Sequence, residues 1–588
     1  VRKNIVITGA GIVSAIGCSK EEVTRSLLER RTGIGEMQYL ESVHHELPVG
    51  EVKMSSEEMK RRLGIDAAKE VSRTVLMGMM AVEQALKEAR LERKDGRRIL
   101  LVSGTTVGGM DLTERHYGSF FESDEHLDCM KTHDCGSSTQ QIVRRFGLFD
   151  DSTTLSTACS SSANALMLGA RLIESGQADI VVAGGTEALT RFHLNGFNAL
   201  MILDREQCRP FDATRAGLNL GEGAAYVVLE SETAARKRGA EIQAWLSGSG
   251  NACDAFHQTA SSDNGEGACL AMKQALEEAG LSPRDIDYVN AHGTGTPNND
   301  LSEGVALQRV FDTEMPPVSS TKSFTGHATS ASGSIETVIC LLAMQQGFIP
   351  ANLGWQHPIE GGITPTLGQE GCRLRHIMCN SFGFGGNDTS LILSAEAPAR
   401  KAESAPNGER AVKVAARVEI TDEAALTEIK NYVKPMEARR LGRILKSALL
   451  SSLKALEEAG VETPDAIITA TSLGCLENSV QLLNQLRDEG EEGLKPTWFM
   501  QSTHNTIGST VAIHTGCHGY NATYTHGEDS LRWALADAEM LIRSGRARSV
   551  LVGLHDETTP EFCDIMSRLG KRDLKPLHSI AMVLTCGE

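Results

Sequence analysis

Residues 154–163 read Thr154-Leu155-Ser156-Thr157-Ala158-Cys159-Ser160-Ser161-Ser162-Ala163, a strand-like run that turns abruptly into small residues and then into the helical stretch NALMLGARLIESG. A strand feeding straight into a helix is an α/β device, and here it sets Cys159 at a helix N-terminus. Unpaired backbone N–H groups and the positive end of the helix dipole favour a thiolate there, and the same groups can hold a developing oxyanion. Read from this stretch alone, Cys159 fits a buried, inert thiol as well as a nucleophile.

Working outward, the first 400 residues alternate short β-branched runs with helical segments: NIVITG, EEVTRSLLERR, TVLMGMMAVEQALKEA, RRILLVSG and ADIVVAGGTEA. A second pass begins near Ile242, with CLAMKQALEEAG as a helix, DIDYVNAHG as a strand end, SIETVICLLAMQQG as a helix and TSLILS as the closing strand. Two related halves are expected, over residues 1–250 and 251–397. The stretch PARKAESAPNGER has no apolar period and reads as a linker over 398–411.

Residues 412–588 then repeat the beginning. Arg61-Arg62-Leu63-Gly64 recurs as Arg439-Arg440-Leu441-Gly442, THDCGSST as THNTIGST, and ARLIESGQADIVVAGGTE as AEMLIRSGRARSVLVGLHDE, in the same order. A duplicated half-module explains this. Aligning LIRSG with LIESG puts Glu528 where Cys159 falls in the first copy, so no thiolate can form there.

A chain of 588 residues suggests about three or four compact units. No run of about 18 uncharged apolar residues could span a bilayer, and the start lacks a signal peptide's cleavage pattern. The 14 cysteines form no CxxC pair and no Cys/His cluster at zinc spacing. Neither a disulfide framework nor a metal is expected, and a reducing cytoplasm is the natural home. A net charge of −18 argues against a general nucleic-acid binder.

Gly9-Ala10-Gly11 after the opening strand is a weak dinucleotide signal, because Ser14 stands where the third glycine belongs. Two histidine motifs carry more. Ala291-His292-Gly293-Thr294-Gly295-Thr296 follows the strand-like DYVN, and Ser320-Thr321-Lys322-Ser323-Phe324-Thr325-Gly326-His327 follows PPVSS. Each sets a histidine in a Gly/Thr loop beyond a strand, where active-site residues of α/β sheets gather. With Cys159 and Lys322 they make a constellation suited to acyl transfer.

TACSSS, AHGTGT, SSTKSFTGH with Glu336 downstream, and NSFGFGGND resemble the four active-site motifs of the β-ketoacyl-acyl carrier protein synthases that use a Cys-His-His triad. The resemblance covers residues 1–397 and implies a thiolase-like α/β fold of two related five-stranded halves, here with a third, amino-terminal-type half-module over 412–588. It further implies that Cys159 takes an acyl chain as a thioester, with an oxyanion hole from its own N–H and that of Phe384, which also gates the pocket. His292 and His327 would assist decarboxylation of a malonyl unit carried on acyl carrier protein, Lys322 and Glu336 would tune and position them, and Thr294 and Thr296 would contact the phosphopantetheine arm. The implied product is a 3-oxoacyl-acyl carrier protein, in fatty acid or specialised polyene or polyketide synthesis, with no metal or redox cofactor. An acyltransferase without decarboxylation and a non-catalytic scaffold are the alternatives.

Two positions depart from the family pattern: Asn387-Asp388 stands where Thr-Asn is common, and Leu218 where Phe is common. Residues 412–588 resemble the Cys-less partner subunits called chain-length factors, so the chain is expected to form a homodimer or an intrachain pseudo-dimer. Acidic carrier protein needs a local basic patch on this acidic chain. Lys60, Arg61, Arg62, Lys69 and Arg73 are the densest such cluster in the first module, read as the start of a helix.

Overall fold

The computed structural model describes residues 3–92, 95–398, 410–571 and 574–587. The expected linker therefore lies, from 399 to 409, outside the described residues.

Fifteen strands form one sheet, five from each repeat. The first module supplies β1 (Ile5–Ser14), β2 (Ile99–Gly104), β3 (Asp151–Leu155), β4 (Ile180–Glu187) and β5 (Gly223–Ser231). The second supplies β6 (Ala244–Cys253), β7 (Tyr288–Asn290), β8 (Val318–Ser319), β9 (His376–Gly383) and β10 (Asn387–Ser394). The third supplies β11 (Val412–Ile420), β12 (Ala466–Ala470), β13 (Tyr520–Tyr524), β14 (Ser549–Glu557) and β15 (Leu577–Cys586). All three share one order, β3-β2-β4-β5-β1, β8-β7-β9-β10-β6 and β13-β12-β14-β15-β11. In each, the first three strands run parallel and the fourth is antiparallel to both neighbours. The boundary expected at 250 falls inside β6, which opens the second module.

The modules join edge to edge. β1 pairs antiparallel with β6, Ile5 opposite Leu246 and Ile7 opposite Ala244. β3 pairs antiparallel with β13, Leu155 opposite Tyr524, and two backbone hydrogen bonds of 2.9 Å, from Ser156 N–H to Thr523 O and from Thr525 N–H to Thr154 O, extend the join. The third module thus takes up the β3 edge of the first, the contact that an intrachain pseudo-dimer requires.

Every residue of β1 is buried, and so is every residue of β2 and β4, because helices cover both faces. That is why these strands read as near-continuous apolar runs without alternation. The helices Ser161–Glu174 and Ser332–Gln346 run through one central core that also holds Leu155 of the first module and Ile468, Tyr524 and Trp533 of the third. The third module is thus built into the main core. At its seam, the Tyr520 and Tyr524 hydroxyls donate to Asp537, at 2.7 and 2.9 Å, and Arg171 lies over the Tyr520 ring.

The repeat pairing Arg61–Gly64 with Arg439–Gly442 matches in sequence but not in place. Gly64 closes the helix Ser56–Leu63 in the left-handed conformation (φ +64°), whereas Gly442 (φ −62°) directly precedes the helix Arg443–Ala459. Lys60, Arg61 and Arg62 therefore occupy the last turn of their helix and not its start.

A chain ending at residue 397 would leave the β3 edge unpaired and strip apolar cover from the central core, both of which promote association. It is expected to aggregate or self-associate, with a lower melting temperature, in size-exclusion chromatography with light scattering and thermal unfolding. A well-behaved monomer with the full chain's melting temperature would contradict this.

Candidate active site

β3 ends at Leu155, and a turn of 3₁₀ helix at Ala158–Ser160 carries the chain into the helix Ser161–Glu174. Ala158 holds φ +51°, which costs a residue with a Cβ about 1–2 kcal/mol. Small polar side chains hold the turn: Thr157 N–H donates to Ser161 Oγ at 2.9 Å, Ser160 Oγ to Thr157 O at 2.9 Å, and Asn164 Nδ2 to Thr157 Oγ1 at 2.9 Å. The backbone N–H groups of Phe384 and Cys159 both act on Cys159 Sγ in the direction that favours its thiolate.

His327 Nε2 lies 3.2 Å from Cys159 Sγ, and its Nδ1 lies 2.9 Å from Ser332 Oγ. A proton on Nδ1 donated to Ser332 leaves the Nε2 lone pair facing the thiol. The His292 ring stands nearly perpendicular to that of His327, centroids 5.2 Å apart, and donor atoms of Cys159, His292 and His327 lie within 4.8 Å of one another. Glu303 fixes the His292 loop by accepting from the N–H of His292 at 2.8 Å and of Gly293 at 2.7 Å. Lys322, 1% exposed, pairs with Glu336 at 2.5 Å.

Burial governs the protonation states. It pushes the Cys159 thiol up to about 12, outweighing the lowering by the Lys322 charge and the Phe384 N–H. The thiolate expected from the helix dipole is therefore not the resting form. Burial, and then the Lys322 charge, hold both His292 and His327 well below the usual imidazole range, so both rest neutral. Burial also raises Glu336 to about 7, against the pull of Lys322.

A cavity of about 400 Å³ opens onto Cys159, His292 and His327, and Thr294, Thr296 and Phe384 line it. Thr294 Oγ1 and Thr296 Oγ1 lie 2.9 Å apart. The Phe384 ring stacks on Phe197, centroids 5.6 Å apart, at the cavity wall. Both departures from the family pattern bear on this cavity. Leu218 lines it, and so does Asp388, whose carboxyl burial and the neighbouring Asp254 raise well above the usual range.

The expected basic patch is only partly present. Arg61, Arg62 and Lys69 are exposed and Lys60 is half-buried. Arg73 is not part of it, since it is buried and spends its guanidinium on Glu222 at 2.6 Å. Several site residues escaped the sequence reading. Glu187 accepts from Thr105, Thr106, Thr329 and Ser330, which ties β4 to the loop following His327. Ser332, Glu303 and Glu187 belong to no recognised motif, and only the fold brings them to the site.

The third module reaches this site. Asn505 Nδ2 donates to Phe384 O at 2.7 Å. A second, small cavity of about 40 Å³ is lined by Thr106, His133, Cys135 and His193 of the first module and by Thr503 and His504 of the third. Glu528, by contrast, is exposed in the turn that corresponds to the Cys159 turn, where Gly527 takes φ +57° in the place of Ala158.

Residues 2–235 match the family described as beta-ketoacyl synthase, N-terminal domain, and residues 243–356 match beta-ketoacyl synthase, C-terminal domain. The 3-oxoacyl-[acyl-carrier-protein] synthase 2 of Vibrio cholerae is 32% identical over 419 residues, covering 67% of this chain and 99% of the relative. The chain belongs to the beta-ketoacyl synthase family. Residues 414–588 match a further beta-ketoacyl synthase N-terminal domain, so this member carries the amino-terminal half twice. Among solved structures, the ishigamide ketosynthase/chain length factor is 30% identical, with a TM-score of 0.63, over 67% of this chain and all of that one. The PfaC Keto synthase-Chain length factor, 17% identical, shares the fold across 99% of this chain and 78% of its own, with a TM-score of 0.79.

With the Cys159 thiol near 12, its thiolate fraction should rise about tenfold per pH unit up to pH 10, whereas an ordinary cysteine levels off above about 8.5. Alkylation of the Cys159 peptide by iodoacetamide, followed by mass spectrometry from pH 7 to 10, is expected to show no plateau. A plateau below about pH 9 would mean that the helix dipole and Lys322 outweigh burial.

Proposed function

We propose that the chain catalyses decarboxylative Claisen condensation of an acyl group on Cys159 with malonyl-acyl carrier protein. The observation that carries this reading is the convergence of a thiol, two neutral imidazoles and two backbone N–H groups on one cavity. Cys159 gives its proton to His327 Nε2 as Sγ attacks the acyl thioester. The N–H groups of Cys159 and Phe384 hold the oxyanion, and the carrier's thiol leaves with a proton. Malonyl-acyl carrier protein then loses carbon dioxide, and the electron pair left behind forms an enolate whose oxygen accepts from His292 and from His327, the latter now protonated on Nε2 with Nδ1 accepting from Ser332 Oγ. Its carbon attacks the Cys159 thioester and expels the Cys159 thiolate, giving 3-oxoacyl-acyl carrier protein, and a proton from solvent, passed through His327, restores the thiol. These bond changes balance without a metal or redox cofactor. Thr294 and Thr296, which line the cavity, are assigned to hydrogen-bond the phosphopantetheine arm. Burial, reinforced by the charge of Lys322, keeps both imidazoles neutral.

Three half-modules, over residues up to about 240, from there to 397 and from 412 onward, make the working unit, and the third shapes the pocket without a site of its own. Asn505 holding the Phe384 carbonyl supports that reading. Lys60, Arg61, Arg62 and Lys69 are the docking surface we assign to acyl carrier protein, and a substrate carried in this way suits the cytoplasm.

In Cys159→Ala, acylation should vanish. In His292→Ala, malonyl decarboxylation should fall by about 10²–10⁴-fold and acyl transfer by less, whereas His327→Ala should lower both, as measured with radiolabelled carbon dioxide and intact-protein mass. Equal loss of both half-reactions in His292→Ala would refute the division of roles, and condensation without carbon dioxide release would favour the non-decarboxylating alternative. Asn505→Ala should lower condensation or change product length, while Glu528→Ala leaves both unchanged.

A further inference from the structure

Between β2 and β3 the chain makes an excursion through the helix Met110–His116 and two 3₁₀ turns, Ser119–Phe121 and Leu127–Thr132. Its course brings His116, His126 and Cys129 onto Glu70, which precedes the helix Arg73–Glu88. Glu70 Oε1 lies 2.9 Å from His116 Nε2, while Oε2 lies 3.3 Å from His126 Nδ1 and 3.0 Å from Cys129 Sγ. The two imidazoles stack, centroids 4.0 Å apart and planes 14° from parallel. Donor atoms of Glu70, His116 and His126 all lie within 4.8 Å of one another.

We propose that Glu70, His116, His126 and Cys129 bind one divalent transition-metal ion, zinc being the best match. Two imidazoles, a thiolate and a carboxylate are all zinc ligands, and four of them close a tetrahedral structural site. Bonds of about 2.0–2.3 Å to one ion put neighbouring donors a little over 3 Å apart, the spacing that Glu70 already holds to each of the other three; on binding, the stacked rings turn so that their in-plane lone pairs converge, and Cys129, outside the cluster of the other three donors, moves in to complete the set. Cys129 is buried, whereas Glu70 and His126 are each more than a third exposed, so an ion has a way in from solvent. On binding, the sulfur–zinc bond replaces the Cys129 S–H bond, and the proton passes to solvent.

The stretch between the ligands is also where the third module grips the first. Arg568 donates to Phe120 O at 2.5 Å, to Ser123 O at 2.6 Å and to Asp124 at 2.6 Å, and the Tyr117 hydroxyl donates to Asn484 at 2.8 Å. An ion joining His116, His126 and Cys129 to Glu70 would close this clasp onto the body of the first module. The inference is independent of the catalytic assignment.

The donors of Cys159, His292 and His327 could also take a metal, so the test uses the full chain both unaltered and as Cys159→Ala. After treatment with a chelator, zinc chloride alone is titrated and bound metal is measured by elemental analysis. One zinc per chain is expected in both proteins, together with a higher melting temperature. The His116→Ala/His126→Ala double variant, and Glu70→Gln with folding checked by circular dichroism, should bind more than about 100-fold more weakly. Cobalt-loaded protein should show a near-ultraviolet sulfur-to-metal band that Cys129→Ser abolishes. No stoichiometric zinc, zinc lost only in Cys159→Ala, zinc retained in the Glu70 and histidine variants, or a band that survives Cys129→Ser would each overturn the proposal.

Discussion

Where β3 meets β13, Leu155 lies opposite Tyr524, and the hydrogen bonds that continue the ladder belong to Ser156 and Thr154 on one side and to Thr523 and Thr525 on the other. A β-strand edge with unpaired backbone must be covered or it recruits another chain. The edge in question is the strand that leads to Cys159, the nucleophile of the proposed reaction, which follows Leu155 by four residues. Pairing it on both sides, with β2 and β13, holds the start of the catalytic turn in a continuous sheet. Asn505 of the third module, at the start of the helix Thr506–Thr515, holds the Phe384 carbonyl on the opposite wall of the site. The third module therefore touches both loops whose N–H groups favour the Cys159 thiolate, although it has no nucleophile.

Burial is the second constraint. A cavity closed enough to exclude water from an enolate also withdraws solvation from every charge, and the thiol and the imidazoles respond by resting neutral, while Glu336 and Glu303 are raised to about 7. Lys322 and Glu336 are bonded to each other within this dry region. Removing either partner of such a pair strands the other's polar group, at a cost of about 3–5 kcal/mol where it remains charged. Activation of Cys159 is accordingly assigned to His327, 3.2 Å away, and not to a standing thiolate.

Much of this was legible in the sequence, because the chemistry sits in contiguous motifs. TACSSS, AHGTGT and TKSFTGH each bring a strand end and its loop residue together locally, so Cys159, His292, His327 and Lys322 could be named from pattern. The repeat of the first module in the third was visible as motifs in the same order, the kinship of the second only as α/β patterning, and the structure gives all three the same strand order. What escaped depends on pairs far apart in sequence. Glu303 and Glu187 act through backbone and hydroxyl contacts that only folding creates. Asn505 meets Phe384 across 121 residues. Arg73 looked like part of a basic patch because Glu222, its buried partner, lies 149 positions away. The helix-dipole argument for Cys159 was sound in sign, but it could not weigh the dipole against an enclosure that appears only in three dimensions.

One chain supplies both strands of the β3–β13 junction. Condensation rate per chain, followed on serial dilution alongside sedimentation mass, tests it most directly. If the β3–β13 junction is intrachain, specific activity stays constant down to concentrations at which only single chains sediment. Activity that falls in proportion to a dissociating dimer would show that a second chain, and not residues 412–588, completes the site.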